Sequence, residues 1–287
     1  MTSDPLVVSL HAEVRAVLAH PRFTVGPVPR PPFAPTVAWL RGAVGRFAEG
    51  AEHAARRAAG EAVLAGLDPD ALRAEAFRLA SREGGPLPCP VELVPVLVLA
   101  VALGVPAEDG PGAVEAVAAI APMYLPAPGG GDGGGDGGGD GETAREAADA
   151  GVARLSRLLG DPAPERLAVL AGLLAQACGA TAGLVRGASA TGKAGAVEDL
   201  LARTLRDDPP VRALRRRAPG GREVVLDIAA ANRDPRARPE PGRAPEEEPG
   251  YLTFGAGPRA CPARRVALAL AAGTVEAVAM TFEGAPR

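Results

Sequence analysis

The sequence has few aromatic residues, and its charge is close to balanced. Its 287 residues include 1 Trp, 2 Tyr and 6 Phe. This is too few for the stacking platforms of single-stranded nucleic-acid binders or for an aromatic membrane belt. Lys and Arg number 31 against 34 Asp and Glu, so the formal net charge is -3. A strongly basic nucleic-acid-binding protein is therefore excluded, and we expect no nucleic-acid partner.

Cysteine is scarce, and long apolar runs are missing. The three cysteines, Cys89, Cys178 and Cys261, are widely spaced and include no Cys-x-x-Cys, so neither a zinc site nor a disulfide framework is indicated. The first 20 residues lack the pattern of a secretion signal. The longest apolar run, 94–107, is too short to span a bilayer. We therefore predict a cytoplasmic protein with no membrane partner.

The remaining composition is that of a folded chain rich in helix. Apolar residues make up 47% and charged residues 23%, which is ordinary for a globular protein. Helical periodicity appears in 10–19, 43–65, 68–81, 90–103, 164–186, 196–206 and 262–281. Residues 223–230 form the best strand candidate, and 27–35 are proline-rich and extended. We predict a mainly α fold with a small β component, in which one strand accompanies about seven helices.

A Gly/Asp-rich segment interrupts this pattern at 126–142. Residues 129–141 within it repeat every four residues and include no apolar residue, so burial cannot offset the entropy of ordering them. The Gly/Asp repeat that binds calcium has a nine-residue period with apolar positions, which this segment lacks. We interpret 126–142 as a flexible insert or linker within a single domain that covers 1–287.

Residues Gly187 to Lys193 (GASATGK) look like the start of a phosphate-binding loop. That loop needs a Ser or Thr after the lysine to hold magnesium, and it needs a preceding strand. Here Ala194 follows the lysine, and a long helical pattern precedes the motif. We therefore prefer an Ala/Gly-rich turn between helices over a nucleotide site.

The segment 254–261, FGAGPRAC, carries the most specific chemistry. Gly255 and Gly257 allow tight turns and a close approach to a flat ligand, because they have no Cβ. Cys261 precedes an apolar helix, whose N-terminal amides and dipole favour the thiolate. Arg259 is placed to meet an anionic group. A thiolate in such a loop is a good ligand for iron.

FGAGPRAC resembles the haem-binding loop of the cytochrome P-450 family, Phe-Gly-x-Gly-x-His/Arg-x-Cys. Other stretches that resemble this family, in particular its bacterial branch, follow the same order along the chain: VRAVLAHPRFT (14–24), HAARR (53–57), VPVLVLAVALGVPAED (94–109) and AANRDP (230–235). The resemblance implies a shortened P-450-like fold built as a single haem-binding domain. It also implies a haem cofactor (heme b).

The resemblance assigns roles to individual residues. Cys261 corresponds to the axial thiolate and is the metal ligand. Thr181, in Ala177-Cys-Gly-Ala-Thr181, corresponds to the residue that assists protonation of iron-bound dioxygen. The other cofactor-binding positions are Phe254, Gly255 and Gly257 of the loop and the propionate anchors His53, Arg57, Arg217 and Arg259.

The implied function is that of a monooxygenase. It inserts oxygen from O₂ into a small organic substrate, with electrons from a separate ferredoxin or flavoprotein reductase. No flavin or dinucleotide domain is visible in the sequence, so an external partner is needed.

Several departures from the family pattern favour an alternative. Ala180 stands where the family has an acid, and no Glu lies three residues before an Arg in 196–206, although Asp199 and Arg203 could form a substitute ion pair or a simple surface pair. The stretch after Arg217 is short, and the Gly/Asp segment stands where roof helices are expected. The alternative is a catalytically impaired relic that binds haem or protein without monooxygenase turnover.

Overall fold

The computed structural model describes residues 4–81, 86–125, 140–190, 195–237 and 250–283. The chain divides into two compact units. Unit 1 comprises Met1–Gly26, Asp68–Ser81 and Gly183–Arg287, and unit 2 comprises Pro27–Leu67 and Arg82–Ala182. The single domain over 1–287 stays a prediction.

The described residues form eleven α-helices and three β-strands. In chain order the elements are β1 (Leu6–Val8), α1 (His11–Ala19), α2 (Val37–Ala43), α3 (Gly50–Ala65), α4 (Pro69–Ala80), α5 (Val94–Ala102), α6 (Gly110–Tyr124), α7 (Asp140–Leu158), α8 (Pro164–Ala190), α9 (Val197–Asp207), β2 (Ala213–Arg217), β3 (Glu223–Asp227), α10 (Ile228–Asn232) and α11 (Arg264–Glu283). The prediction of a mainly α fold with a small β component is confirmed.

Most predicted helices are found with small changes of boundary, and one begins later than predicted. The predicted helix 43–65 is α3, which begins only at Gly50, and α2 before it, which ends at Ala43, was not predicted. Gly50 has φ +57°, a backbone conformation that glycine adopts without the steric cost of a side chain. Helices α6 and α7 were not predicted. Helix α7 begins at Asp140, so the last three residues of the predicted 126–142 linker are helical, while 126–139 lie outside the described residues.

The sheet has three strands where one was predicted. β3 is the central strand; β1 pairs with it in parallel, with Leu6 opposite Val224, and β2 pairs with it in antiparallel fashion. The predicted strand 223–230 ends at Asp227, because the Asp227 carboxylate accepts a hydrogen bond from the Ala230 amide at 2.8 Å and caps α10. The three-arginine sequence of β2 concealed its alternating pattern.

The core of unit 1 relevant to the cysteine loop lies between the sheet and α1. It contains Val14 and Leu18 of α1, Val224 and Leu226 of β3, Ile228 and Ala231 of α10, and Leu252. In unit 2, helix α5 is buried along most of its length, from Val94 to Ala100, as its apolar sequence predicted. Helices α6 and α7 of unit 2 pack against each other.

Helix α8 is the one described helix that is long and apolar enough to cross a membrane. The structure buries 61% of its most apolar 18-residue window. The core helix of a soluble protein has the same length and composition, so this helix is weak evidence for a membrane span.

Candidate functional site

The cysteine loop in unit 1 is closed by its own backbone. Short 3-10 turns at Leu252–Phe254 and Gly257–Arg259 fold the loop, and Gly255 adopts φ +71° between them. The Cys261 amide donates a hydrogen bond to the Phe254 carbonyl oxygen at 2.7 Å. Cys261 is exposed and precedes the first residue of α11 by three positions. The loop therefore presents a thiol to solvent from a fixed backbone.

Gly257 is required by packing within the protein. It has φ +64°, and a Cβ at this position would stand 2.7 Å from the Cα of Ala19 in α1. The sequence interpretation attributed both loop glycines to the approach of a ligand. For Gly257 the structure gives a further reason, because the loop backbone lies directly on α1.

Asn232, from the AANRDP stretch, joins the loop to α9. Its side-chain amide donates to the Leu205 carbonyl oxygen at 2.8 Å and to the Thr253 hydroxyl at 2.9 Å. Its side-chain oxygen accepts a hydrogen bond from the Leu252 amide at 2.8 Å. Sequence reasoning gave Asn232 no role of its own, because its partners are far from it along the chain.

His11 forms hydrogen bonds to Asp234 and to Gly250, close in sequence to the start of the cysteine loop. The His11 amide donates to Asp234 Oδ2 at 3.2 Å, and His11 Nε2 lies 2.8 Å from the Gly250 carbonyl oxygen. Hydrogen bonds from the Arg236 amide, and then from the His11 amide, lower the pKa of Asp234. These contacts link the start of α1 to the segments on either side of 238–249.

Phe254 and Arg264 flank the loop at the start of α11. The Arg264 guanidinium lies over the Phe254 ring, with its central carbon 5.4 Å from the ring centroid. Phe254 also packs against a buried cluster that includes Tyr251 and Leu268. The Phe254 ring is thus part of the scaffold that holds the loop, and Arg259 beside it is half-buried.

Neighbouring arginines of β2 lie on opposite faces of the sheet. Arg217, the predicted propionate anchor, is exposed at the end of the strand, and its backbone pairs with Thr24. Arg216 is only 8% exposed and pairs in register with the fully buried Val224. Leu214, on the same face as Arg216, packs on the cluster that contains Leu252 of the cysteine loop. Strand alternation is the signal that could have singled out Arg216.

In unit 2, His53 and Arg57 lie one turn apart on α3. Both are half-buried, and Arg57 Nε donates to Glu61 Oε1 at 2.7 Å. Leu64 is the one buried residue of this helix, which otherwise has a largely Ala-rich, partly exposed surface. The structure therefore places the two predicted anchors on one helix, with Arg57 already paired to a carboxylate.

Thr181 lies inside α8 with its hydroxyl unengaged. The residue is 3% exposed, and its side chain makes no hydrogen bond to any other residue that the structure describes. Two buried threonines of other helices, Thr204 and Thr274, instead donate to the carbonyl four residues earlier, at 3.0 and 2.9 Å. The Thr181 hydroxyl is thus free to donate to a ligand.

The prediction of a substitute ion pair between Asp199 and Arg203 in α9 is wrong. Within the described ranges, Asp199 and Arg203 form no ion pair: Asp199 is exposed, whereas Arg203 Nη1 is buried and has no hydrogen-bond partner. Glu198 pairs instead with Arg73 of α4 at 3.0 Å, and Arg73 also reaches Glu276 of α11 at 3.2 Å. The acidic group of α9 therefore serves contacts between helices.

The phosphate-loop-like segment begins inside a helix. Gly187 to Ala190 belong to α8, and a Cβ on Gly187 would stand 2.6 Å from Thr204 Cγ2. Gly187 therefore serves close helix packing against α9. Residues 191–193 of the segment lie outside the described residues.

Comparisons with solved structures identify the fold. P450BioI in complex with an acyl carrier protein ligated with hexadec-9Z-enoic acid matches with a TM-score of 0.68 and 16% identity, over 98% of this chain and 87% of that chain. The chain has a cytochrome P-450 fold. Ligand-free CYP164A2 of Mycobacterium smegmatis gives a TM-score of 0.68 at 22% identity, over 97% of this chain and 84% of that chain. Substrate-free CYP109E1 from Bacillus megaterium gives 0.68 at 17%, over 96% and 84%.

Comparisons of the sequence with family models and with curated proteins found no match. The identities to the P-450 structures are low, so their likeness establishes the fold alone.

Proposed function

We propose that the protein is a haem-thiolate oxidoreductase that inserts oxygen from O₂ into a small organic substrate. The observation that carries this proposal is the exposed Cys261 thiol, held in a loop that the 2.7 Å hydrogen bond from Cys261 to Phe254 closes. The cytochrome P-450 fold supports it.

The residues present fit a haem whose iron is held by a cysteine thiolate. A thiolate is a soft, strongly donating iron ligand, and Cys261 lies just before the N-terminal turn of α11, where helix amides favour its ionised form. Cys261 would ligate the iron, and His53, Arg57 and Arg259 would bind the propionates. The bound haem would supply oxygen activation, with the thiolate favouring cleavage of the O–O bond.

For the remaining propionate contact we propose Arg216 in place of Arg217. Leu252 of the loop packs on the sheet cluster, which also receives Leu214 from the β2 face that carries Arg216. Arg217 points to the other face. A strand cannot present both side chains to one ligand, because successive side chains alternate between faces.

Thr181 would hold and pass a proton. Its hydroxyl has no acceptor among the described residues, so it can donate to a bound ligand without first breaking a bond to the helix. Ala180 supplies no carboxylate beside it, so Thr181 would act with solvent rather than with a neighbouring acid.

Electrons would come from a separate protein, a ferredoxin or a flavoprotein reductase. We place the protein in the cytoplasm, where such donors and a reduced Cys261 are available. The complex of P450BioI with an acyl carrier protein also makes a carrier-bound substrate a reasonable form to test.

The decisive experiment is a titration of the purified protein with hemin, followed by reduction and addition of carbon monoxide. We expect a one-to-one complex with the spectrum of a thiolate-ligated haem. The Cys261→Ser variant should lose this spectrum, and the matched control Cys89→Ser should keep it. A protein that binds no hemin would overturn the proposal.

A turnover assay distinguishes an active oxidoreductase from a catalytically impaired relic. The haem-loaded protein is supplied with a ferredoxin, its reductase, NADPH and a panel of fatty acids and small cyclic compounds. Oxygenated product identified by mass spectrometry supports the proposal. Thiolate-ligated haem without product from any member of the panel supports the relic.

A further inference from the structure

We propose that Asn232 is a positioning residue for the Cys261 thiolate. It acts on the cysteine loop from α10 and would touch neither the haem nor the substrate. The inference rests on the proposed function for its spectroscopic test, and a second test needs no haem.

Asn232 is connected to Cys261 by a short series of contacts. Its side chain holds the Leu252 amide and the Thr253 hydroxyl, which begin the 3-10 turn that ends at Phe254. The Phe254 carbonyl then accepts the hydrogen bond from the Cys261 amide. A displacement of the turn therefore moves the oxygen that fixes the Cys261 backbone.

The other end of this series is anchored in α9. Asn232 also donates to the carbonyl oxygen of Leu205, which is fully buried near the end of that helix. The Leu205 carbonyl is one of the last in α9, where helix carbonyls lack partners within the helix. Asn232 thus satisfies a helix end and a loop amide with one side chain.

No simpler side chain provides these contacts. Asn232 is 7% exposed, and both its amide nitrogen and its oxygen are used. An amide offers two donor hydrogens and an acceptor, a combination that neither a carboxylate nor a hydroxyl reproduces. An unsatisfied buried group would then be left in α9 or in the loop.

Two substitutions separate positioning from general stability. Asn232→Asp keeps the acceptor for Leu252 and removes both donors, with almost no change in shape. Thr253→Val removes one acceptor of Asn232, whereas Thr253→Ser keeps the hydroxyl and serves as its conservative rescue. Thr274→Val is the matched control, because it removes a buried hydroxyl hydrogen bond in α11 that does not contact the loop.

The first readout is amide hydrogen exchange of the full chain without haem. We expect exchange at the Leu252 and Cys261 amides to rise about tenfold in Asn232→Asp and in Thr253→Val, as for the loss of one buried hydrogen bond. Thr253→Ser and Thr274→Val should leave the Cys261 amide at its wild-type rate. Unchanged exchange at Cys261 in Thr253→Val, or an equal rise in Thr274→Val, would overturn the inference.

The second readout is the state of the bound haem. After reduction and addition of carbon monoxide, Asn232→Asp and Thr253→Val should retain thiolate ligation in a smaller fraction of molecules than the wild type. Thr253→Ser should match the wild type. If the wild type binds no haem, the proposed function fails, whereas the exchange experiment still decides the role of Asn232. Should Asn232→Asp not fold, Thr253→Val carries both tests.

Discussion

Gly273 of α11 lies directly against the backbone carbonyl oxygen of Arg73 in α4. A Cβ on Gly273 would overlap this oxygen and would also stand 3.1 Å from the Phe77 amide nitrogen. Both neighbours are helix backbone, which cannot move aside as a flexible side chain can. The two helices therefore approach so closely at this point that only glycine fits at position 273.

The first prediction concerns this contact between α4 and α11. Gly273→Ala should destabilise the protein by about 1–3 kcal/mol, the usual cost of overpacking, because α4 and α11 must separate. Gly60→Ala is the control, since no atom outside its chain neighbours and the backbone of α3 itself lies within 4 Å of its Cβ position. It should stabilise the protein by about 0.5–1 kcal/mol. Urea unfolding of both variants checks the difference in sign.

The second prediction concerns the contact between Gly257 and Ala19. Gly257→Ala should cost about 1–2 kcal/mol for the positive φ alone, with a further loss from the clash with α1. Gly220→Ala has a similar positive φ, +90°, but no atom beyond its two chain neighbours lies within 4 Å of its Cβ position. Thermal unfolding should therefore show the larger loss for Gly257→Ala. Equal losses would mean that the loop does not pack on α1 as described.

The third prediction concerns the order in which the cysteines react. Burial, reinforced by the charge of Glu92, raises the pKa of Cys89 to about 11, and Cys178 is buried, whereas Cys261 is exposed. At pH 8 only about one Cys89 in a thousand is then a thiolate, the reactive form. Iodoacetamide should therefore label Cys261 first, as read by peptide mass spectrometry.

The pH dependence gives the same prediction a second check. Labelling of Cys89 in the folded protein should keep rising as the pH increases toward about 11. Cys261→Ser should remove the fast phase and leave the slow one. A fast phase that persists in Cys261→Ser would contradict the exposures in the structure.

The fourth prediction compares Arg216 with Arg217. Arg216→Gln should weaken hemin binding by about tenfold or more, the order expected for the loss of a charge-assisted hydrogen bond to a propionate. Arg217→Gln should leave hemin binding within about twofold, because its side chain lies on the other face of β2. Equilibrium titration with hemin measures both. The reverse order would restore Arg217 as the anchor.

Much of the helical fold follows from sequence periodicity, and the sheet does not. Residues 68–81 predict α4 well, because Asp68 caps the helix and Pro69 occupies its first turn. β2 escaped prediction because three successive arginines hide an alternation that only pairing with β3 reveals. Hydrogen bonds between distant segments, such as those of β1 with β3, leave no periodic signal.

The candidate site shows the same division. The glycines and Cys261 are visible because a loop of this kind needs particular residue types at fixed spacing. The role of Asn232 is not visible, because Leu205 and Leu252 come to it through the fold. The Asp199–Arg203 pair failed for a related reason: helical spacing places two side chains near each other without fixing which of them is buried.

The pairing of Leu6 with Val224 affects how the protein folds during its synthesis on the ribosome. β1 is translated early, but its neighbour β3 is translated only after the last residue of unit 2. Unit 2 can thus fold first, while β1 stays unpaired until β3 has been synthesised. The cysteine loop is translated later still, so any cofactor could be captured only after nearly all of these residues have been made.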